Sequence, residues 1–307
     1  MDLTIRASNQ QFLASLQSTQ LQMQTAQAQL SSGYRLQQVS DDPSAVDQIY
    51  ELETQIAFNQ QTQTNLTSAQ SEVSSADSAL QSAVQVMQSA ISLAAQGATS
   101  TSTAQDRANL AVEAQGLQQT LVSLSQTQVN GSYIFSGDDN TQPSYALNPA
   151  ASDGVTQLIS PTNTRVIQDV NGTAIATART ATQIFDAQDA SGNPVAGNAF
   201  AAINSLVTAL QSNNQAGIAA ASDSLTAASQ YVSGQQAFYG EAEDRITTAA
   251  QLAQQFLVQD QSSLGQVQDA NVAQASLELT QSQTQEQAAL SVEAKIQQQP
   301  NLFSMLG

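Results

Sequence analysis

The sequence predicts a mainly α protein: an elongated rod of long antiparallel helices, with terminal helices forming a coiled coil and a small outer β domain. Apolar residues recur at alternating steps of four and three over long stretches on both sides of the middle of the chain. Short β-prone runs such as "SYIF" and "VTQLI", separated by Gly, Pro, Asn and Asp, fill the middle. Polar breaks, "SSGYRLQQVSDDPSAV" and "SSLGQVQDAN", separate both terminal helices from the rod helices.

The composition excludes several classes of function. Seven basic residues against 25 acidic ones give a formal charge of −18, the wrong sign for nucleic acid or anionic membrane partners. The chain has no Cys and no His, so thiolate nucleophiles, imidazole bases and the common zinc sites are impossible. We therefore expect no enzyme, no cofactor and no metal. No run reaches the ~18 apolar residues of a membrane span, and no cleavable signal is visible at the N-terminus.

Residues 1–32 are predicted to form the N-terminal coiled-coil helix of an inner tube. The stretch from Ala7 to Tyr34 contains no charged residue, although an exposed helix normally carries charges. Packing on all sides against like subunits explains this absence, and a Gln-rich compositional bias is the alternative. On this helix the predicted assembly interface consists of Ile5, Phe12, Leu16, Met23 and Leu30.

A joint follows at residues 33–42. Its predicted residues are Gly33, Arg35, Asp41 and Asp42, together with Pro43, which comes directly after it. Pro43 suits the first position of a helix and disfavours helical conformation at Asp42, so Asp42 is the expected N-cap. Asp41 adds negative charge near the positive end of the helix dipole. A catalytic carboxylate pair is the rival interpretation, but the sequence contains no matching acid or metal ligand set.

The remaining boundaries follow from the pattern. We expect the rod domain at 43–135 and 198–264, the outer β-rich insertion at 136–197, and a linker with the C-terminal helix at 265–307. A capping box of Ser102 and Gln105 opens the third helix, and Asn198 caps the helix after the insertion. Four of the aspartates in the insertion, Asp138, Asp139, Asp186 and Asp189, could be interpreted as a calcium site, but no run matches a calcium-binding loop.

The C-terminal segment 269–307 is predicted to pair with residues 1–32. Its apolar residues complete the predicted assembly interface: Leu277, Leu290, Val292, Ile296, Leu302, Phe303 and Leu306. The last three would be an aggregation hazard on a monomer and are expected to be buried by assembly; a disordered tail is the alternative.

"QLSSGYRLQQVSDDPSAVDQI" resembles the N-terminal region of the bacterial flagellin superfamily, in which a terminal helix, a short spoke and a long helix follow in order. The Asp-Asp-Pro-x-Ala form at Asp41 to Ala45 is similar to the hook-associated protein 3 branch rather than to flagellins proper. "TQVNGSYIFSG" resembles the second signature of that branch, the exit from the rod; its residues are Asn130, Gly131, Tyr133, Phe135 and Gly137. The C-terminal "VQDANVAQASLELTQ" is similar to the closing helix of the family.

The resemblance implies a structural subunit at the junction of the flagellar hook and filament that templates flagellin assembly. It implies secretion through the flagellar export apparatus to the cell exterior. The implied partners are a ring-like layer of like subunits, a neighbouring hook-associated junction protein, flagellin, and an export chaperone for the C-terminal helix. A small flagellin forming the filament itself is one alternative, and a flagellar surface protein with an adhesive β insertion is another.

Overall fold

The computed structural model describes residues 2–38 and 40–298, with side chains for 10–38 and 40–295. Helices dominate this part of the chain, and their bounds are α1 Asp2–Ser32, α2 Pro43–Gly97, α3 Ala104–Ser125, α4 Ala181–Ile184, α5 Ala199–Gln211, α6 Gln215–Gln268 and α7 Val272–Gln298. The strands are short: β1 Gln128–Val129, β2 Ser132–Tyr133, β3 Tyr145–Leu147, β4 Val155–Gln157, β5 Val166–Gln168 and β6 Ala174–Ala176. The expectation of a mainly α chain with a small β insertion is confirmed.

Two compact units divide the chain. Unit 1 consists of residues 1–58 and 256–307, and unit 2 of residues 59–255. Within residues 2–38 and 40–298, no helix is both long enough and apolar enough to cross a membrane.

Unit 2 is held together by apolar residues that recur every seven positions along α2 and α6. Every member of both series is at most 1% exposed: Leu66, Val73, Leu80, Met87 and Ala94 on α2, and Ile218, Leu225, Val232, Tyr239, Ile246 and Ala253 on α6. A strict seven-residue repeat keeps one stripe of a helix facing its neighbour over many turns. The alternating four-three pattern in the sequence therefore predicted these buried stripes correctly.

Side-chain hydrogen bonds show that α2 and α6 run antiparallel in unit 2. Gln63 Nε2 donates to Gln254 Oε1 at 2.8 Å, and Gln70 Nε2 donates to Glu243 Oε1 at 2.8 Å. Gln215 Nε2, at the start of α6, donates to the carbonyl of Ala98 just beyond α2. The residue numbers of the partners on α6 therefore decrease as those on α2 increase. This is the antiparallel arrangement that the sequence pattern predicted.

The start of α3 differs from the expected capping box. Thr103 is the N-cap: its hydroxyl accepts from the backbone N–H of Asp106 at 3.2 Å, and the Asp106 carboxylate accepts from the backbone N–H of Thr103 at 3.0 Å. The predicted box of Ser102 and Gln105 is wrong by one residue. Ser102 instead donates its hydroxyl to the carbonyl of Gln96, close to the end of α2, so it belongs to the connection between the helices.

The β1–β2 hairpin lies just before the insertion, and the insertion itself contains two separate two-stranded antiparallel sheets, β3–β4 and β5–β6. The run "TQIF", residues 182–185, is one of the β-prone runs of the sequence, but Ala181–Ile184 is a helical turn capped by Thr180, whose hydroxyl accepts from the N–H of Gln183. This local capping box outweighs the weak β propensity of the run. The predicted cap of α5 is confirmed, because Asn198 Oδ1 accepts from the N–H of Ala201 at 2.8 Å.

The second predicted break is shorter than expected. The polar stretch Ser262–Asn271 was expected to weaken the helix from Gly265 onward, but α6 continues to Gln268 and only Asp269, Ala270 and Asn271 lie between α6 and α7. One helix-interior glycine costs only about 1 kcal/mol, which the rest of a long helix offsets. The linker therefore consists of three residues.

Candidate functional site at the paired helix breaks

The first break is set by the backbone of Gly33. Its N–H donates to the carbonyl of Gln29 at 2.9 Å and its φ is +77°, the left-handed conformation that commonly ends a helix. A Cβ at this position would meet no atom within 4 Å. Glycine is therefore required here by backbone conformation and not by lack of space.

The second break ends at a new helix cap. Asn271 Oδ1 accepts from the N–H of Gln274 at 3.1 Å, and the Asn271 carbonyl accepts from the N–H of Ala275 at 2.9 Å. Asn271 is thus the N-cap of α7. The Asp-Ala-Asn sequence allows α6 to stop and α7 to start within one turn.

The two breaks are hydrogen-bonded to each other. Tyr34 and Asp269 lie opposite each other in an antiparallel bridge. On one side of the bridge the N–H of Arg35 donates to the carbonyl of Gln268 at 2.8 Å, and on the other the N–H of Ala270 donates to the carbonyl of Gly33 at 2.8 Å. The chain leaves α1 and enters α7 at the same place, so the two breaks form one structural feature, which we call the paired breaks (residues 33–42 and 269–271).

The Arg35 side chain links three segments. Its Nε donates to the carbonyl of Val267 at 3.1 Å, in the last turn of α6. Its Nη2 lies 3.6 Å from Asp42 Oδ2, with both side chains more than a third exposed. The cation thus lies at the negative end of the α6 dipole and beside the carboxylate that caps α2. An exposed ion pair of this kind contributes less than about 1 kcal/mol, so Arg35 orients the segments more than it stabilises them.

The two aspartates of the joint accept hydrogen bonds from different segments. Asp41 Oδ2 accepts from the backbone N–H groups of Gln37 and Gln38 at 3.0 and 2.9 Å, which closes the loop of the joint. Asp42 Oδ1 accepts from the Ser44 hydroxyl at 2.8 Å and from the N–H of Ala45 at 3.2 Å, so Asp42 is the N-cap of α2. These bonds, above all the one from Ser44, hold the pKa of Asp42 below its usual value, and the charge of Arg35 adds to the effect.

Pro43 is the first residue of α2, where its missing N–H costs nothing. All five predicted joint residues therefore lie in or beside the paired breaks. The sequence did not identify their partners on the other strand of the bridge, Gln268 and Ala270, because nothing in the local pattern specifies a pairing between distant segments.

Helices α1 and α7 pack against each other beside the paired breaks, and Gln20 Nε2 donates to Glu286 Oε1 at 3.1 Å between them. On α1 the predicted residues Phe12, Leu16, Met23 and Leu30 are half-buried, around a fully buried Ala26. Ile5 and Ile296 lie in the helices, but their side chains are outside the described residues, as are Leu302, Phe303 and Leu306.

The covered face of α7 is not the one marked by Leu277, Leu290 and Val292. It consists of Ala275, Leu279, Ser282, Glu286, Ala289 and Glu293. Leu277, Leu290 and Val292 are 57%, 51% and 51% exposed. These three therefore do not hold unit 1 together; they are available on its surface.

The second predicted signature, residues 130–137, attaches the insertion to the helices of unit 2. Asn130 and Gly131 have φ of +52° and +78° and form the two-residue turn between β1 and β2. Phe135 is fully buried, with its ring centroid 5.6 Å from that of Phe185 and 6.3 Å from that of Tyr239 on α6, both edge-on. Tyr133 is half-buried.

Gly137 must be glycine for two reasons. Its φ is +60°, and a Cβ there would lie 2.6 Å from the carbonyl oxygen of Asn163. The signature is therefore a structural anchor for the insertion, and the described geometry gives it no chemistry of its own.

Buried polar residues that the sequence did not single out as a group hold the insertion in place. The Asp186 carboxylate is 1% exposed and accepts from the Tyr145 hydroxyl at 2.7 Å, from Gln188 Nε2 at 2.6 Å and from Asn198 Nδ2 at 2.6 Å. Three neutral donors therefore satisfy the carboxylate of Asp186, which is one of the four aspartates considered as calcium ligands. In the described part of the chain, no three acidic residues lie close enough together to hold a metal ion.

The sequence comparisons agree with this arrangement. Residues 5–140 match the model of the bacterial flagellin N-terminal helical region. The matched residues run from Ile5 in α1 through the first break, α2 and α3 to just beyond the anchor signature. The search of curated proteins found no match to this sequence.

Solved structures share the fold of this chain. One is a Vibrio parahaemolyticus protein described as flagellar hook-associated, 21% identical, with a TM-score of 0.64 over 75% of this chain and 100% of its own. Another is hook-associated protein 3 of Legionella pneumophila, 16% identical, with a TM-score of 0.61 over 71% and 98%. A third is the flagellar junction protein FlgL of the same species, 16% identical, with a TM-score of 0.56 over 72% and 99%.

Proposed function

We propose that this chain is a structural subunit of the bacterial flagellum that joins the hook to the filament and templates flagellin assembly. The observation that carries the proposal is the surface of unit 1. Large apolar side chains remain exposed on both of its paired helices: Leu13 (59%), Leu21 (57%), Leu277 (57%), Leu290 (51%) and Val292 (51%). Large apolar residues exposed on both helices of a pair mark a surface that becomes buried by association.

The charge distribution supports association between copies. The whole chain carries a formal charge of −18, so copies repel each other wherever charged surfaces meet. The stretch from Ala7 to Tyr34 has no charged residue, so α1 can lie beside α1 of a neighbour without that cost. Burial of the exposed apolar area then stabilises the layer by about 25 cal/mol for each Å² removed from water.

The proposed partners follow from this role. They are like copies in a ring-like layer, a hook-associated junction protein on one side and flagellin on the other. The chain reaches the cell exterior through the flagellar export apparatus. Before export a chaperone covers the C-terminal helix, whose exposed Leu277, Leu290 and Val292 would otherwise aggregate. The role is mechanical rather than catalytic.

Deletion of the gene tests the proposal. We expect cells with normal hooks that release unpolymerised flagellin into the medium. A truncation that removes residues 271–307 should leave the buried core of unit 2 folded, by circular dichroism and urea unfolding, and should abolish incorporation. Normal motility with an intact filament in either strain would contradict the proposal.

A small flagellin that forms the filament itself is the second candidate, because the matched family model is that of the flagellins. Abundance separates the two functions. A dominant band of this chain in sheared filaments would favour flagellin, whereas a trace component that remains with the hooks would favour the junction role.

A further inference from the structure

A cleft of about 380 Å³ lies in unit 2 between the end of the β5–β6 hairpin and α6. Its charged and aromatic lining consists of Arg179, which follows β6, and of Tyr231 and Phe238 on α6. We call it the Arg179 cleft. None of the interactions that define the paired breaks or the insertion anchor fills it.

The walls of the Arg179 cleft are held in place by the fold itself. The Tyr231 hydroxyl donates to the carbonyl of Gln183 at 2.8 Å, and the Tyr231 ring lies against Gly197, where a Cβ would come within 2.7 Å of it. The backbone N–H of Arg179 donates to the Tyr239 hydroxyl at 3.0 Å. The cleft is therefore formed before anything enters it, which lowers the entropic cost of binding.

The guanidinium of Arg179 has unused hydrogen-bonding capacity. It lies 4.4 Å above the centroid of the Phe238 ring, and its Nη1 donates to Gln235 Oε1. A guanidinium has five N–H donors, and among the described residues no carboxylate lies within ion-pair distance of this one.

Two other arginines provide a comparison. Arg165 pairs its Nη1 with Glu72 at 2.8 Å and donates through Nη2 to the carbonyl of Ile134, while its buried Nε has no hydrogen-bond partner among the described residues. Arg107 donates through all three of its nitrogens. The half-buried Arg179, held on an aromatic face, is by contrast prepared for an anion that the described chain does not supply.

The α6 side of the cleft is open. Gly234 lies three residues after Tyr231 and four before Phe238, on the same face of the helix. A Cβ at Gly234 would meet no atom within 4 Å. A side chain from outside can therefore approach Arg179 across the helix without a clash.

We propose that the Arg179 cleft binds an aspartate or glutamate side chain from a second copy of this chain in the assembled layer. Charge complementarity identifies the occupant, since a neighbouring copy carries 25 acidic residues and only seven basic ones. A free carboxylate held by one arginine binds weakly, but assembly raises the effective concentration of a tethered carboxylate to about the millimolar range or above. The inference rests on the proposed self-assembling function.

The near absence of lysine makes the proposal directly testable. Lys295 is the one lysine in the sequence, so Arg179→Lys introduces an amine that a carbodiimide joins to whichever carboxylate faces it. Flagella from cells that express a mixture of 15N-labelled and unlabelled variant distinguish links between copies from links within one copy. Arg245→Lys, at an exposed position on α6, is the matched control.

We expect Arg179→Lys flagella to yield a mixed-label cross-linked peptide that joins position 179 to an aspartate or glutamate of another copy. The yield should exceed that from Arg245→Lys at least fivefold and should disappear in dilute monomer. Incorporation of the wild-type and variant chains into flagella is measured first. If neither chain is incorporated, the result counts against the proposed function and not against carboxylate binding in the Arg179 cleft. Incorporated chains that give only links within one copy, links to a different protein, or no link at position 179 would overturn the inference.

Discussion

Tyr34 and Asp269 face each other in an antiparallel bridge that joins the break after α1 to the break before α7. Two backbone hydrogen bonds of 2.8 Å flank the bridge, and the Arg35 side chain adds a third contact to α6. A typical hydrogen bond contributes only about 0.5 to 1.5 kcal/mol net, so this connection is weak compared with the buried core of unit 2. The paired breaks are therefore the place where small changes should alter how the terminal helices are held.

Replacing Gly33 with Ala should loosen the paired breaks. A φ of +77° costs an L-residue about 1 to 2 kcal/mol, so the variant should strain the bridge or shift the end of α1. Amide hydrogen exchange at Arg35 and Ala270, whose N–H groups cross between the breaks, should accelerate severalfold. In flagella, the double variant Gly33→Ala with Pro43→Ala should impair assembly more than it lowers monomer stability.

Gly234→Ala is the matched control for Gly33→Ala. Gly234 lies inside α6, its Cβ would meet nothing within 4 Å, and alanine there should be neutral or stabilise by up to about 1 kcal/mol. Equal exchange rates at Arg35 and Ala270 in wild type and Gly33→Ala would show that the left-handed glycine does not determine the joint.

The Asp42 cap should depend on pH in the acidic range. The folded-state pKa of Asp42 lies below its usual value, so the cap stabilises the protein above pH ~4 and is lost as pH falls through the lowered pKa. Asp42→Asn keeps a good N-cap without a titrating group. The exchange protection of Ala45 in wild type should therefore fall between about pH 4 and 2.

In Asp42→Asn the protection of Ala45 should change much less over the same range. Parallel loss of protection in both proteins would assign the pH dependence to other carboxylates.

The sequence predicted most where helices are long and their burial is periodic. The buried stripe through Leu225, Val232 and Tyr239 could be predicted from the sequence because one face of α6 is buried over many turns. The covered face of α7 could not be predicted in this way, because its residues include Ser282, Glu286 and Glu293 while Leu277, Leu290 and Val292 point outward.

Pairings between distant segments could not be predicted from the sequence, for a different reason. The bridge between Tyr34 and Asp269 and the burial of Arg107 both depend on contacts between segments far apart in the chain. The start of a helix was predicted correctly where a single cap dominates, as at Asn198, and missed by one residue where several capping residues stand in a row, as at Thr103.

Arg107 should be the most sensitive basic residue for stability. It is 7% exposed, and its guanidinium donates to the carbonyls of Gly97 and Thr99 and to Asn213 Oδ1. Arg107→Met removes the charge but leaves these buried acceptors without donors, at a cost of about 2 to 4 kcal/mol. Urea unfolding followed by circular dichroism should show a lower midpoint with little change in slope.

Arg245→Met provides the comparison for Arg107→Met. Arg245 is exposed and makes one hydrogen bond, from Nη2 to the carbonyl of Ala174 at 3.2 Å, so its loss should change stability by no more than about 0.5 kcal/mol. Similar urea midpoints for the two variants would contradict the role assigned to Arg107.

Alkaline unfolding should be coupled to buried tyrosines. Burial raises the pKa of Tyr239 to about 12 from its ordinary value near 10, and burial also raises the pKa of Tyr145. Because these pKa values are raised in the folded state, the stabilisation is complete below pH ~10 and is lost as pH rises, by about 2 kcal/mol for Tyr239 alone at pH 12. Tyrosinate absorbance at 295 nm and loss of helicity should therefore rise together above pH ~10.

Tyr239→Phe tests this coupling. The variant loses the acceptor for the Arg179 N–H and should be less stable at pH 7 by about 1 to 3 kcal/mol, but its stability should fall less steeply between pH 10 and 12. An unchanged slope over that range would mean that Tyr239 is already ionised, or exposed, in the folded protein.

The exposed apolar residues of α7 should matter for assembly and not for the monomer. Leu277→Gln and Val292→Gln change side chains that are 57% and 51% exposed, so each should alter the urea midpoint of the monomer by less than about 0.5 kcal/mol. In the assembled layer the same changes place a polar amide where apolar area is buried, so incorporation should fall severalfold. Val112→Gln, at a 67% exposed position on α3, is the control and should be incorporated normally. Full incorporation of Leu277→Gln with Val292→Gln would remove this face of α7 from the assembly surface and leave α1 as the part of unit 1 on which the proposed layer depends.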